Sequence, residues 1–215
     1  LAQPVLFKLP SHKIIFIATP KAGNSSILQA MINALPEKVG DEGELQLIQT
    51  KFREYAITKK EAFLLRDDHF IFSIVRNPWD RVVSHYSDKV VGGKALHSRL
   101  NQFEGFYHKM PFDEYLNVLD KSFGKLNDVH TLPQADNLFF RGSFLPNFVL
   151  RYERIAEDFA LLKSVLATKN LSISSLPHKN RSKRLGYKNM YLNKEQIDLV
   201  RKLYRRDIKM FGYIF

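Results

Sequence analysis

The chain has 215 residues, 45% of them hydrophobic, with seventeen Phe and nine Tyr, which is enough for one sizeable core and excludes a disordered chain. It has no cysteine, which excludes disulfides, thiol chemistry and cysteine-ligated metal, and it has no apolar stretch long enough to cross a bilayer. The formal net charge is +11, and residues 178–215 hold eleven Lys or Arg against three Asp or Glu, so that end suits nucleic acid, an anionic polysaccharide, an acidic membrane surface or a phosphorylated cofactor.

Leu1 to Lys13 reads as a polar, proline-marked lead-in. Ile14-Ile15-Phe16-Ile17 is then a β-branched and aromatic run fit for a buried strand, and the chain turns at Thr19-Pro20. An apolar pattern at Ile27, Leu28, Met31, Ile32 and Leu35 predicts a helix beyond the turn. The connecting loop carries Lys21, Ala22, Gly23, Asn24, Ser25 and Ser26. Small residues let the backbone approach an anion, and the helix points its unpaired amides at the same place, so a phosphate-like group is the natural occupant. Asn24, Ser25 and Ser26 add side-chain donors, and Lys21 adds a full charge. The lysine precedes the glycine, so this is not a Walker A loop, and an ordinary nucleoside triphosphatase is disfavoured. A plain strand-to-helix turn with a solvated lysine fits this segment alone equally well.

Pro36 to Glu44 is a Gly- and charge-rich connection, and Leu45 to Leu65 fits one helix or two short ones. His69 to Val75 is a second, nearly continuous apolar run of the kind found in parallel sheets covered on both faces. At its end Asn77 reads as an N-cap, Pro78 as the first helical residue and Asp80 as an acid in the first turn. Val82, Val83, Tyr86 and Val90 continue that helix, with His85 expected on its outer face, until Val91-Gly92-Gly93 breaks it. Here too a cation, Arg76, sits where a strand runs into a helix.

Lys94 to Lys109 reads as an exposed, mobile insertion, and Pro111 opens a helix that buries Phe112, Tyr115, Leu116 and Leu119. Ser122 to Gln134 is irregular. Phe148-Val149-Leu150 is a third strand, followed by a helix with Ile155, Phe159, Leu162 and Leu166 on one face. Leu176 to Arg184 is a basic loop. A last helix starts at Asn193, buries Ile197, Val200, Tyr204, Ile208 and Phe211, and is capped by Gly212. Its Arg201, Lys202, Arg205, Arg206 and Lys209 lie mostly off that face, as a solvated or polyanion-attracting surface.

Three strand-to-helix units predict a single α/β domain over 1–215, a three-layer sandwich with a mainly parallel central sheet and a P-loop-like nucleotide-binding fold. Such sheets bind ligands at the carboxyl ends of their strands, where Lys21 and Arg76 both stand. If their strands are neighbours, the two cations face one crevice.

Thr19-Pro20-Lys21-Ala22-Gly23-Asn24-Ser25-Ser26 resembles the 5′-phosphosulfate loop of sulfotransferases, and Arg76-Asn77-Pro78-Trp79-Asp80-Arg81-Val82-Val83-Ser84-His85-Tyr86 resembles their 3′-phosphate motif. Arg151-Tyr152-Glu153 with Asp158-Phe159, then Pro177-His178-Lys179-Asn180 with Ser182, resemble later blocks of the carbohydrate branch that includes the chondroitin and heparan sulfate 2-O enzymes. The resemblance runs in order from about Ile14 to the C-terminus, leaving out the lead-in and the Gly92 to Lys109 insertion. It implies 3′-phosphoadenosine-5′-phosphosulfate (PAPS) as sulfuryl donor, the bisphosphate PAP as product, and a carbohydrate or other hydroxyl acceptor, with no metal and no nucleic acid.

By position, the resemblance assigns Lys21 to the bridging oxygen and the departing phosphate, and Ala22, Gly23, Asn24, Ser25 and Ser26 to the 5′ end of the nucleotide. It assigns Arg76 and Ser84 to the 3′-phosphate, and the loop of Lys179, Arg181, Ser182 and Lys183 to closure over the donor. Sulfuryl transfer needs in-line positioning and stabilisation of spread charge, which fixed cations and helix amides supply.

The acceptor hydroxyl needs a base. His130, in Asp128-Val129-His130-Thr131-Leu132-Pro133-Gln134, is the first candidate, because it lies in an irregular segment and an imidazole has a suitable pKa. A surface or structural histidine is the competing reading, and Glu42 and Glu44 are alternative bases. Two other classes remain: a basic nucleic-acid module, for which no RNP, zinc-finger or helix-turn-helix signature is found, and a P-loop-like kinase, whose lysine would stand elsewhere. The lack of cysteine fits a cytoplasmic location, the first residue, Leu, leaves room for a lumenal catalytic domain stripped of its leader, and no membrane anchor is present in this chain.

Overall fold

In a computed structural model, which describes residues 5–9, 11–34, 54–92, 105–125, 128–173, 175–176 and 186–215, the Ile14–Ile17 run is a strand whose four side chains are all buried. The chain divides into two packing units. One comprises the described residues of Pro4–Val75 and Leu138–Ser182, and the other those of Arg76–Asn137 and Lys183–Phe215.

The first unit is mixed α/β, with a central sheet flanked by helices. Its strands are β1 (Leu6–Leu9), β2 (Ile14–Ile17), β3 (Ala56–Ile57), β4 (Phe70–Val75) and, after the short hairpin of β5 (Phe139–Phe140) and β6 (Ser143–Phe144), β7 (Phe148–Arg151). The order is β3-β1-β2-β4-β7. β2, β4 and β7 are parallel, with Phe16 beside Phe72 and Phe72 beside Phe148, whereas β1 runs antiparallel to both its neighbours. Four of the five strands therefore point the same way, and the sheet is mainly parallel. β1 lies in the stretch read as a polar, proline-marked lead-in: Phe7 and Leu9 are buried, and the strand pairs with β2 in a Phe7↔Phe16 register. β3 likewise lies within the Leu45 to Leu65 stretch expected to be helical, of which 45–53 fall outside the described residues.

Helices α1 (Asn24–Asn33) and α6 (Ile155–Ala167) cover this sheet, with α2 (Lys59–Leu65) between β3 and β4 in sequence. Ile27 and Met31 of α1, with Phe159, Leu162 and Leu166 of α6, join Phe16, Phe72, Ile74 and Leu150 in one buried cluster. Complete burial of β2 is why its sequence carries no polar alternation. α2 starts in a full capping box, in which Glu61 N–H donates to Thr58 Oγ1 and Thr58 N–H donates to the Glu61 carboxylate.

The second unit is helical and rich in aromatic contacts. It holds α3 (Pro78–His85), a π-helical stretch from Tyr86 to Val91, α4 (Phe112–Ser122), most of α5 (Gln134–Leu138), α7 (Lys194–Leu203) and α8 (Arg205–Phe211). The expected last helix is thus two helices, broken at Tyr204, with the expected Asn193 N-cap at one end and left-handed Gly212 at the other. Trp79 is buried and donates its indole N–H to the Ile197 carbonyl, and Phe215 packs on the rings of Trp79, Tyr187 and Tyr191. Phe106, in the stretch expected to be an exposed insertion, is buried against Tyr115, while 93–104 lie outside the described residues. No helix among the described residues is long and apolar enough to cross a membrane.

Candidate active site

In the sheet unit, the site candidates gather at the carboxyl end of β2. Ser73 of β4 donates to the Ile17 carbonyl at 2.7 Å and meets the Thr19 hydroxyl at 3.2 Å, so the loop leaves from an anchored point. Lys21 takes a left-handed conformation (φ 66°), and so does Gly23 (φ 94°), which is the N-cap of α1. A left-handed glycine at that position offers no side-chain acceptor, and the first turn of α1 contains no acidic residue. The amino end of the helix therefore keeps its positive character, with no carboxylate in its first turn to quench it. Ala22 is fully buried, Asn24 and Ser26 are half-buried and Ser25 is exposed. Asn24 Oδ1 is buried with no hydrogen-bond partner among the described residues, an unsatisfied amide end of the kind that a hydrogen-bonding ligand completes.

Tyr152, the residue after β7, lies beneath this loop. A Cβ placed on Gly23 would meet the Tyr152 ring at 3.0 Å, so the third motif packs against the first. Asp158 of α6 accepts the Arg151 N–H at 2.7 Å and pairs with Arg154 at 3.4 Å, which fixes the turn that delivers Tyr152. Gly23→Ala combines a left-handed alanine, costing about 1–2 kcal/mol, with displacement of the ring. Urea unfolding should report that loss, and a variant as stable as the wild type would show that the loop accommodates a side chain.

In the helical unit, Arg76 follows directly on β4 and is buried, with Nε and Nη2 each 2.7 Å from Asp80 Oδ2. Asn77 is the N-cap, accepting the Trp79 N–H and donating to the Ile214 carbonyl. Asp80 and half-buried Ser84, four residues apart, share one side of α3. The strands that precede the two cations, β2 and β4, are parallel neighbours.

Gln134 binds the main chain of Arg76 at both ends of its amide: its Oε1 accepts the Arg76 N–H at 2.8 Å, and its Nε2 donates to the Arg76 carbonyl at 2.7 Å. Fully buried Asp207 of α8 holds Gln134 in turn, accepting from Gln134 N and Ala135 N at 2.8 Å each and from Gln134 Nε2 at 3.3 Å. Burial pushes the Asp207 pKa up, against the Ala135 and Gln134 hydrogen bonds and the charge of Arg81. Asp207→Asn would turn an N–H₂ group toward one of these donors and should cost roughly 1–3 kcal/mol in urea unfolding. Because folding raises this pKa, the protonated acid favours the folded state, and stability falls as pH climbs from the ordinary carboxylate range through the raised value. The Asn variant should lose that slope, and an unaltered midpoint and slope would overturn the role given to Asp207.

His130 stands in the same unit. Its Nδ1 lies 2.6 Å from Asp128 Oδ1, which also accepts the His130 backbone N–H at 2.9 Å. Burial raises the Asp128 pKa, but the His130 hydrogen bonds and charge, with a smaller contribution from His85, outweigh it and hold the carboxyl at about 2. Buried Arg81 donates to the carbonyls of Leu132 and Val129, and Tyr204 donates its hydroxyl to the Thr131 carbonyl. His85, expected on an outer face, is buried instead, its Nδ1 at 2.8 Å from the Tyr115 hydroxyl and its ring 6.1 Å from that of His130. The hydroxyl satisfies one of the two ring nitrogens, Nδ1, which lowers the cost of placing a histidine inside.

Lys179, Arg181, Ser182 and Lys183 of the basic loop lie outside the described residues, as do Glu42 and Glu44. On α7 and α8, Arg201 pairs with Asp198, Lys202 with Asp120 at 3.1 Å and Arg206 with Asp136, so part of the C-terminal charge is neutralised locally. Sequence reasoning gave no role to Asp128, Gln134 or Asp207, and quoted Tyr152 only as part of a motif. Asp207 left a readable sign, as an acid within the apolar stripe of Tyr204, Ile208 and Phe211.

Comparison with known proteins adds three findings. A family model described as Sulfotransferase family matches residues 6–214. Carbohydrate sulfotransferase 10 of Danio rerio is 30% identical over 95 residues, a stretch that is 40% of this chain and 25% of that protein. A crystal structure of a sulfotransferase from Alicyclobacillus acidocaldarius is similar over 95% of this chain and 90% of its own, with 16% sequence identity and a TM-score of 0.34.

Proposed function

The chain belongs to the sulfotransferase family, and from that premise we propose that it transfers a sulfuryl group from PAPS to a hydroxyl of a carbohydrate acceptor. The observation that carries this reading is the loop from Thr19 to Gly23, which ends a buried parallel strand and opens α1 on a left-handed glycine with no acid in the first turn. That is an anion cradle by construction. The carbohydrate acceptor is supported by the similarity to a carbohydrate sulfotransferase of Danio rerio and by the excess of positive charge, which suits an acidic saccharide.

PAPS supplies a sulfuryl group already bonded to a phosphate leaving group. The amides and hydroxyls from Ala22 to Ser26 would hold its 5′ end, and Lys21 would balance the negative charge that gathers there during transfer. Arg76, with Ser84 beyond it on α3, would hold the 3′-phosphate, and the basic loop of Lys179, Arg181, Ser182 and Lys183 would cover the nucleotide. His130 would take the proton of the acceptor hydroxyl.

Transfer of label from PAPS carrying radioactive sulfur to desulfated chondroitin and heparan oligosaccharides tests the reading. Incorporation that PAP blocks and ATP does not supports it. PAP-insensitive binding of oligonucleotides with a steep salt dependence, and no labelled product, would replace it with a polyanion-binding role.

A further inference from the structure

We propose that Asp128 is the positioning residue for His130: it holds the imidazole with its proton on Nδ1, so that Nε2 carries the lone pair that receives the acceptor's proton. The inference rests on the reading of His130 as the base and adds to it a partner, a tautomer and a reacting atom.

Three observations carry it. A single carboxylate oxygen, Asp128 Oδ1, accepts from both the backbone N–H of His130 and its Nδ1, so backbone and ring are fixed to one point. That oxygen has no proton to give while the carboxyl is ionised, so the shared proton belongs to Nδ1. The burial is graded: Asp128 is 8% exposed, whereas the His130 side chain retains 33% of its surface, so the ring can present its other nitrogen to a ligand.

The loop itself is braced. Thr131 returns its N–H and its hydroxyl to the Asp128 carbonyl at 3.1 and 3.0 Å. Arg81 from α3 and Tyr204 from the junction of α7 and α8 hold the next carbonyls, and both are buried. Among the described residues, the groups facing the pair are His85 and Tyr115, joined to each other, with Arg81 and Tyr204 behind the loop. None of these is a second carboxylate that would compete for the ring. In the transfer the acceptor O–H proton moves to Nε2, the acceptor oxygen forms the new bond to sulfur, and the bond from sulfur to the bridging oxygen breaks with its electron pair leaving on PAP. The imidazolium formed is stabilised by the Asp128 carboxylate.

Long-range nitrogen–proton NMR of protein labelled at histidine reads the tautomer directly and needs no acceptor. At alkaline pH the wild type should show His130 protonated on Nδ1, its signal assigned by its loss in His130→Gln. In Asp128→Ala the population should move to the Nε2-protonated form, while Asp128→Asn, which keeps the acceptor oxygen, should restore the wild-type tautomer. In the labelled-PAPS assay Asp128→Ala should lower kcat roughly 10- to 100-fold, short of the 10²–10⁴ of a whole general base, with the KM for PAPS held within about twofold. Asp128→Asn should recover part of the loss.

A wild-type His130 protonated on Nε2 overturns the inference whether or not the variants fold. So does an Asp128→Ala enzyme that keeps the wild-type tautomer and kcat, or one whose kcat and KM worsen together with its melting temperature. A His130→Gln enzyme with wild-type turnover overturns the base assignment beneath the inference, whereas dependence on His130 without dependence on Asp128 overturns the inference alone.

Discussion

Arg76→Ala should weaken PAP binding by about 2–5 kcal/mol, the cost of truncating one partner of a buried, hydrogen-bonded charge pair. Calorimetric titration would read this as a roughly 30- to 5,000-fold rise in Kd. Two features place the effect on ligand binding rather than on folding. Gln134 grips Arg76 only through its main-chain N–H and carbonyl, so removal of the guanidinium leaves that grip intact. Asp80, whose carboxylate Arg76 meets at 2.7 Å, would lose that counter-charge next to the proposed phosphate position. Arg76→Lys should fall between the two, because a lysine restores the charge but not the planar pair of N–H groups. An Arg76→Ala protein that melts normally and binds PAP like the wild type would refute the assignment of this residue to the 3′-phosphate.

Lys21→Ala should lower kcat by roughly 10²–10³-fold, the range for removing one charge-stabilising donor from a transition state, while PAP affinity changes by less than about tenfold. The backbone makes the comparison clean. Lys21 already has φ 66°, and alanine meets the same left-handed penalty as lysine, so the substitution removes the ammonium without adding or relieving strain. In the proposed reaction the ammonium acts on charge that accumulates during transfer, which is why the loss belongs in kcat. Single-turnover measurements with labelled PAPS would separate the step. Retention of kcat within about threefold, or collapse of nucleotide binding with chemistry intact, would move Lys21 from charge stabilisation to simple binding.

The strands that carry the candidate site were legible because they are apolar runs followed by helix-start residues. β2, β4 and β7 each run into a helix as predicted, and Asn77, Pro78 and Asp80 announce α3 in three consecutive ways. β1 and β3 were not legible. Four and two residues are too few for a period to appear, and β1 becomes a strand only through its partners on either side. The loop from Lys21 to Ser26 could be read as an anion site from its small residues, but the Tyr152 ring beneath Gly23 depends on β7 joining the sheet beside β4. Asp207 and Gln134 meet across 73 positions of sequence, and no local pattern reports such a pair. His85 was misread because a helix face was judged by residue polarity, whereas the hydroxyl of Tyr115 makes an inward histidine tolerable.

Past His85 the helix begun at Pro78 widens into a π turn, closed where the Gly92 N–H reaches the Ser87 carbonyl at 3.0 Å. Such a turn stows one surplus residue inside an otherwise regular winding. Losing the surplus residue would let this stretch rewind as ordinary α-helix, with Arg76, Asp80 and Ser84 upstream keeping their positions. Chains that share the arginine and serine of this motif can therefore differ by a one-residue gap here without displacing either, and what would be re-aimed is only the Tyr86 to Val91 segment itself.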